Sequence, residues 1–263
     1  MTEALPPKLL GANMLWIGER LGPLERACMR SVMAQGHALQ LWHYAPLEGV
    51  PEGVVLHDAA EVVPKERVFR HVPTGSYALF SNLFRYCLLQ RGEGLWLDSD
   101  MYLLQPIPVG SGHVFGWQEL GLMSAGALLL PTASPVLREL IAHFDGRRIP
   151  AWLPLRWRLR FAWQRARRGT YRIETIPWGN LGPRGLTKML ERHGLIEHAL
   201  PQTAFSPTGW RDADWIFRSG ARLEDWVTPQ TLAIHLFNEL VRDRKDALPP
   251  PDSFLERLHR EGA

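Results

Sequence analysis

One stretch constrains the fold of this chain more than any other: residues 81–106, SNLFRYCLLQRGEGLWLDSDMYLLQP. A helix-length segment runs through Gly92 and Gly94 into the apolar run Leu95-Trp96-Leu97, which ends on Asp98-Ser99-Asp100. A continuously apolar run flanked by glycines reads as a buried central strand. Helix, tight turn and buried strand form the repeating unit of a layered α/β domain. In such sheets ligands collect beyond the carboxyl ends of the strands. Residues i and i+2 of an extended chain share a face, and a bend after Asp98 lets both carboxylates reach one hard cation, which prefers oxygen ligands. A divalent cation held there commonly grips phosphate oxygens as well. Taken alone, Asp-x-Asp is more often an acidic pair in a solvated turn; its setting is what gives it weight.

The rest of the chain alternates in the same manner. Residues 9–18, LLGANMLWIG, read as a buried first strand ending in a glycine. Residues 23–35 read as a helix, with Pro23 in its first turn, Leu24, Ala27, Cys28 and Val32 on one face, and Gly36 closing it. Strands are predicted over 38–44 and 54–57. A helix is predicted over 77–90, with Ser76 as N-cap. Leu79, Leu83, Tyr86, Cys87 and Gln90 share one face of it, which turns Asn82 and Arg85 toward a neighbouring edge. Beyond the aspartates the pattern predicts strands over 113–117 and 125–130, a helix over 135–144, an edge strand over 171–176, a helix over 186–192 and a last helix over 253–261. The expected architecture is an α/β sandwich with a mostly parallel central sheet. It is expected to be one domain over residues 1–263, with a basic, Trp-rich helical insertion at 147–172 and a C-terminal helix within 249–263.

Bulk properties narrow the function classes. Hydrophobic residues make up 46% and charged residues 22% of the 263, ordinary values for a globular protein. Two isolated cysteines, Cys28 and Cys87, suggest a reducing compartment and offer no zinc-type pairing. Met1 to Pro7 is polar and proline-rich with no signal-type apolar core, and no apolar run reaches the ~20 residues that cross a bilayer. The expectation is a cytoplasmic protein. Charge is unevenly placed: residues 147–172 hold nine arginines and no acid, so without them 21 basic residues face 27 acidic ones. There Arg156, Arg158 and Arg160 alternate with apolar residues, and on a helix Trp152, Leu155, Leu159 and Trp163 would form one stripe. That composition suits an amphipathic element at an anionic membrane surface; it equally describes a solvated basic face packed by its tryptophans. Nucleic-acid binding is disfavoured, because the rest of the chain is net negative and carries no nucleic-acid motif.

Ser81-Asn82-x-x-Arg85-Tyr86-x-x-Leu89, a glycine turn, then Leu-Trp-Leu-Asp98-x-Asp100 resembles the DXD sugar-transferase family, which includes α-1,4-glycosyltransferases, initiating mannosyltransferases and, distantly, the glucosylating clostridial toxins. Three positions depart from the family pattern: Asn82 replaces an aspartate, Glu93 splits the glycine pair, and Trp96 replaces a tyrosine. The resemblance implies a GT-A fold and Mn²⁺ or Mg²⁺ held by Asp98, Asp100 and His235, the last from a closing strand TLAIHLFN. It implies a UDP- or GDP-linked sugar donor, a cell-surface glycan or glycolipid acceptor, and retention of anomeric configuration. Trp16 is then the platform for the base, and Asn82, Arg85, Asp98 and Ser124 contact the donor. Arg85 would reach sugar or phosphate, and Glu119, with Gln118 beside it, is the nearest candidate for the reactive face of the sugar. Trp178 to Pro183 is similar to a Gly-Pro loop that the family places near the active site. Read without the resemblance, Trp16 and His235 are equally well core residues of their strands.

Two other functions stay open on the sequence. A haloacid-dehalogenase-type phosphohydrolase also ends an apolar strand in Asp-x-Asp, but its usual Thr or Val two residues on is Tyr102 here, and its motif usually sits near the N-terminus. A degenerate transferase serving as a membrane-surface or glycan-binding module is the non-catalytic reading, motivated by Asn82 and Ser124.

Overall fold

The computed structural model describes residues 9–108, 110 and 112–263. The proline-rich segment Met1 to Pro7 lies outside the described residues. In chain order the elements are β1 (Ala12–Trp16), α1 (Pro23–Ala34), β2 (Leu39–His43), β3 (Val55–Asp58), α2 (Ala78–Arg91), β4 (Leu95–Leu97), β5 (Met101–Leu103), β6 (Trp117–Glu119), β7 (Leu122–Met123), β8 (Ala127–Leu128), α3 (Pro135–Ala142), α4 (Leu155–Arg168), α5 (Pro183–Arg192), β9 (Ala233–His235), α6 (Asn238–Val241) and α7 (Phe254–Glu261).

The central sheet runs β3-β2-β1-β4-β8, parallel except for the last strand, and two antiparallel pairs, β5-β9 and β6-β7, stand beside it. The order 3-2-1-4 is that of a Rossmann-like sheet. β1 and β4 are buried on both faces, which is why they read as unbroken apolar runs. The one polar residue within β1, Asn13, staples three strands. Its amide donates to Glu93 O at 2.6 Å and its oxygen accepts from Trp42 Nε1 at 2.9 Å. Both glycines of the turn into β4 have positive φ, 81 at Gly92, which caps α2, and 104 at Gly94. A Cβ at Gly94 would also lie 2.6 Å from Gly11 O.

α2 differs from the one-faced helix predicted. Phe80, Asn82, Phe84, Arg85 and Leu88 are buried along with Leu79, Leu83, Tyr86 and Leu89, while Cys87 is half-buried and Gln90 is exposed. The helix is covered on several sides, with β4 and α3 among its neighbours, and its polar residues Asn82 and Arg85 lie where it borders a cleft. The strand predicted at 113–117 shrinks to single bridges, Val114 to Leu129 and Gly116 to Leu200, ahead of β6.

The edge strand predicted at 171–176 is a single 3₁₀ turn, Ile173–Thr175. Tyr171 N donates to Gly146 O and Glu174 O accepts from Val72 N, so isolated partners take the backbone groups and no ladder forms. The basic insertion does form a helix, but Pro154 is its N-cap and bars Leu153 from helical geometry. Trp152 therefore falls outside the helix. It turns inward, donating to Asn180 O at 3.0 Å, and the predicted four-residue stripe begins at Leu155 instead. Phe161 and half-buried Trp157 anchor α4, with Phe161 stacked on Tyr171 at 4.6 Å. Among the described residues no helix is long and apolar enough to cross a membrane.

Candidate functional site

Strand order reverses between β1 and β4, and the crevice beyond their carboxyl ends is where such sheets bind ligands. A cleft of about 1130 Å³ opens there, lined by Trp16 from the end of β1, Asn82 and Arg85 from α2, Asp98 and Asp100 after β4, and His235 from β9. Backbone bonds bring the acids together. Asp98 N donates to Gly126 O at 2.7 Å, and Met101 N donates to Asp98 O at 3.0 Å, closing a tight turn over Asp98–Met101. The turn delivers Asp100 to the start of β5. There the antiparallel register sets Met101 opposite His235, so the imidazole arrives beside the second carboxylate.

One donor atom from each of Asp98, Asp100 and His235 lies within 4.8 Å of the other two. His235 Nε2 is 3.4 Å from Asp100 Oδ2, while its buried Nδ1 has no hydrogen-bond partner. Two carboxylates and an imidazole with a ring nitrogen to spare could hold a divalent cation.

The two aspartates are held differently. Arg85 grips Asp98 through Nη2 to Oδ1 at 2.9 Å and Nη1 to Oδ2 at 3.4 Å, and Trp96 Nε1 donates to Oδ1 at 2.9 Å. Trp96 thus orients the first aspartate. Arg85 is itself fixed by Ser81 and the Ala125 carbonyl and lies over the Trp96 ring at 5.0 Å. Each guanidinium nitrogen thus has a protein partner, and the group lines the cleft. Burial pushes the Asp98 carboxyl up, against the pull of Arg85. At Asp100 burial also opposes ionisation, but His235 and the backbone N–H of Asn238 at 2.7 Å outweigh it, and the net shift is downward. For His235 burial favours the neutral ring, yet the two aspartates prevail and raise its pKa above the ordinary imidazole value.

The structure adds residues that the sequence reading missed. β9 ends at His235, and Phe237 enters the left-handed region with φ 52, a strained geometry for a non-glycine residue. That turn aims Asn238 N at Asp100. The Asn238 amide donates to Glu25 Oε1 at 2.9 Å, and Lys245 Nζ pairs with the same oxygen. Glu25 is fully buried on α1 and Lys245 nearly so, its ammonium 5.4 Å from the Trp16 ring centre. A signal was present: Glu25 lies on the apolar face of α1 among Cys28, Met29 and Val32, where an acid requires a partner. Trp178, Gly179, Pro183 and Arg184, from the loop likened to the family's Gly-Pro loop, line the cleft, as do Arg70 and Arg242.

The remaining predicted residues divide. Asn82 lines the cleft, with its amide against Gly182. Glu119 lines it too, but its carboxylate accepts from Arg211 at 2.7 Å and Trp210 at 3.2 Å, and the Arg211 bond lowers its pKa. Ser124 does not reach the cleft. It is fully buried, and its hydroxyl accepts from Gly126 N at 3.2 Å. It lies behind the cleft wall, which this segment reaches at Ala125 and Gly126.

No family profile and no curated protein matches the sequence. Among solved structures the chain is similar to the PaToxG glycosyltransferase, at 12% identity and a TM-score of 0.43, over 70% of this chain and 69% of the other. The likeness is loose, and the chemistry rests on the cleft itself.

Proposed function

We propose that this chain is a metal-dependent glycosyltransferase of GT-A type, moving a sugar from a nucleotide-diphosphate donor to a glycan or glycolipid acceptor. The observation that carries the reading is the convergence of Asp98, Asp100 and His235 at the β1/β4 crevice, beside the half-buried Trp16 ring, in a cleft large enough for a nucleotide sugar. Asp100 and His235 would hold Mn²⁺ or Mg²⁺ most directly, with Asp98 sharing it or receiving donor hydroxyls. A cation there would bind the diphosphate and offset charge developing on the leaving group. Trp16 presents an aromatic face to the base. Arg70 and Arg184, which have no carboxylate partner among the described residues, bring positive charge to a cleft that must accept a polyanion. Asn82 accepts or donates a hydrogen bond to a sugar hydroxyl. Glu119, kept ionised by Arg211, would face the anomeric carbon as a stabilising carboxylate, in line with retention.

The phosphohydrolase reading requires Asp98 to attack phosphorus. Both Asp98 oxygens lie within hydrogen-bonding distance of Arg85 Nη1 and Nη2 or Trp96 Nε1, and an anion so held is a poor nucleophile.

Calorimetric titration with UDP and GDP, each with and without Mn²⁺, tests the proposal. Manganese-dependent binding of one nucleotide is the expected result. Absence of binding by both under every condition would overturn it, and binding without turnover across sugars and acceptors would favour the degenerate module.

A pH dependence accompanies this. Without metal, the lowered Asp100 pKa contributes stability above the ordinary carboxylate range that is lost as pH falls through the lowered value. The raised His235 pKa contributes stability below the ordinary imidazole value that is lost as pH rises through the raised one. The pair therefore stabilises the metal-free protein most at mildly acidic pH. A cation must displace the His235 proton, so Mn²⁺ affinity should rise by about tenfold between about pH 6 and about pH 8. A flat profile in a metal titration would remove His235 from the ligand set.

A further inference from the structure

We propose that helix α4 docks this protein on an anionic lipid bilayer, its outer apolar ridge entering the boundary between headgroups and acyl chains. Phe161 and Trp157 fix which face of α4 meets the domain. At about 100° per residue, the opposite face carries Leu155, Leu159 and Trp163, which are 64%, 62% and 57% exposed. Ala166 lies on this line, with Ala162 at one margin and Arg156 at the other. The ridge is therefore apolar along its full length and points away from the body of the protein.

Arginines flank it on both sides, Arg156, Arg160 and Arg167 on one and Arg158 and Arg165 on the other, while Arg168 lies toward the far side in the last turn. Among the described residues none of the six is ion-paired with a carboxylate. Some arginines elsewhere on the surface are paired with a carboxylate, Arg192, Arg211, Arg218 and Arg257 each at 2.7–3.0 Å, and others are not, but nowhere else among the described residues do so many lie on one helix around an apolar ridge. Five guanidiniums without a carboxylate partner around an exposed Leu-Leu-Trp ridge suit an occupant that supplies both anions and hydrocarbon. An anionic bilayer does so: lipid phosphates accept from the guanidiniums, the aliphatic side chains leave water, and Trp163, with Arg167 stacked 4.1 Å over its ring, sits at headgroup depth. A single-stranded nucleic acid would satisfy the charge but not the leucines, which offer bases no aromatic face to stack on.

α4 is also joined to the cleft wall. Trp152, just before the helix, holds Asn180 O, and the chain after it leads through residues 170–175 to Ile176, Pro177 and Trp178 in the cleft lining. If the sugar-transfer reading holds, a lipid-linked acceptor embedded in the same surface would meet the cleft without leaving the membrane.

Vesicle flotation tests the docking without reference to transfer. The full chain should float with phosphatidylcholine vesicles doped with phosphatidylglycerol and stay behind with phosphatidylcholine alone. The triple variant Leu155→Ser, Leu159→Ser, Trp163→Ser keeps every arginine and alters only exposed side chains. It should lose at least about tenfold in partitioning while its thermal melt is unchanged. Replacing Arg156, Arg158, Arg160 and Arg165 with glutamine should remove the preference for anionic vesicles. Failure of the native chain to float, equal flotation of the triple variant, or tighter binding to single-stranded RNA that the triple variant retains would each overturn the proposal. None of these outcomes bears on manganese-dependent nucleotide binding, so the two readings fail separately.

Discussion

Asp100→Asn should weaken manganese-dependent nucleotide binding by about 10³-fold, equivalent to about 4 kcal/mol, and reduce turnover at least as much. Asparagine preserves the volume of the side chain. Its oxygen can still accept from Asn238 N, the 2.7 Å bond that orients the native carboxylate. What disappears is the negative charge, and with it both a metal ligand and the partner that holds His235. The far-UV circular dichroism should be unchanged, because β5 and β9 pair through backbone groups at Met101 and His235 that the substitution does not touch. The same change at Asp98 should act differently. Arg85 is almost fully buried and draws its countercharge from Asp98, so Asp98→Asn should lower stability as well as binding, since it strands a buried guanidinium. A calorimetric titration paired with a thermal melt separates the two variants. Native-like nucleotide affinity in Asp100→Asn would refute the metal role of this carboxylate.

Glu25→Ala should destabilise the protein by about 3–5 kcal/mol, the usual consequence of removing one partner of a buried ion pair. For a chain of this length that is a fall in melting temperature of about 10 °C. The cause lies in what remains: the Lys245 ammonium loses the carboxylate it pairs with, and the Asn238 amide loses its acceptor. The effect should spread to the cleft, because Asn238 also supplies the N–H that holds Asp100, and Lys245 lies over Trp16. Manganese affinity should therefore fall too, though by less than in Asp100→Asn. The double variant Glu25→Met, Lys245→Met removes both charges and fills the space with apolar side chains of similar length. It should recover most of the melting temperature. A melt for Glu25→Ala within about 2 °C of the native protein would mean that Lys245 finds solvent or another acid when its partner is gone.

Much of the site was legible because its parts are close in sequence. Asp98 and Asp100 are two residues apart at the end of an apolar run, and local periodicity places such a run at the centre of a sheet. Ser81, Asn82 and Arg85 precede it by one helix, so the α2–β4 unit could be read whole. Errors came where a segment's state depends on distant neighbours. Residues 171–176 have the composition of a strand but no free edge beside them, and Trp152 is cut off from its helix by Pro154 and claimed by Asn180. Ser124 was aligned with donor-contacting residues, yet burial behind the cleft wall puts it out of reach.

The sequence by itself determined the alternation of helices and strands, the delivery of two carboxylates to the carboxyl end of a buried strand, and the concentration of arginine and tryptophan in one segment. These are properties of short windows, set by side-chain periodicity and local turn chemistry. The resemblance grouped His235 with the aspartates, but no local pattern did; the tertiary structure sets it beside Asp100, 135 residues earlier, because the register of β5 on β9 is a long-range pairing. The buried charges that brace the site were settled there too: Glu25, Asn238 and Lys245 meet across more than 200 residues of chain. Their pairing follows from the expense of leaving any one of them alone in a low-dielectric interior, and no local window records that condition.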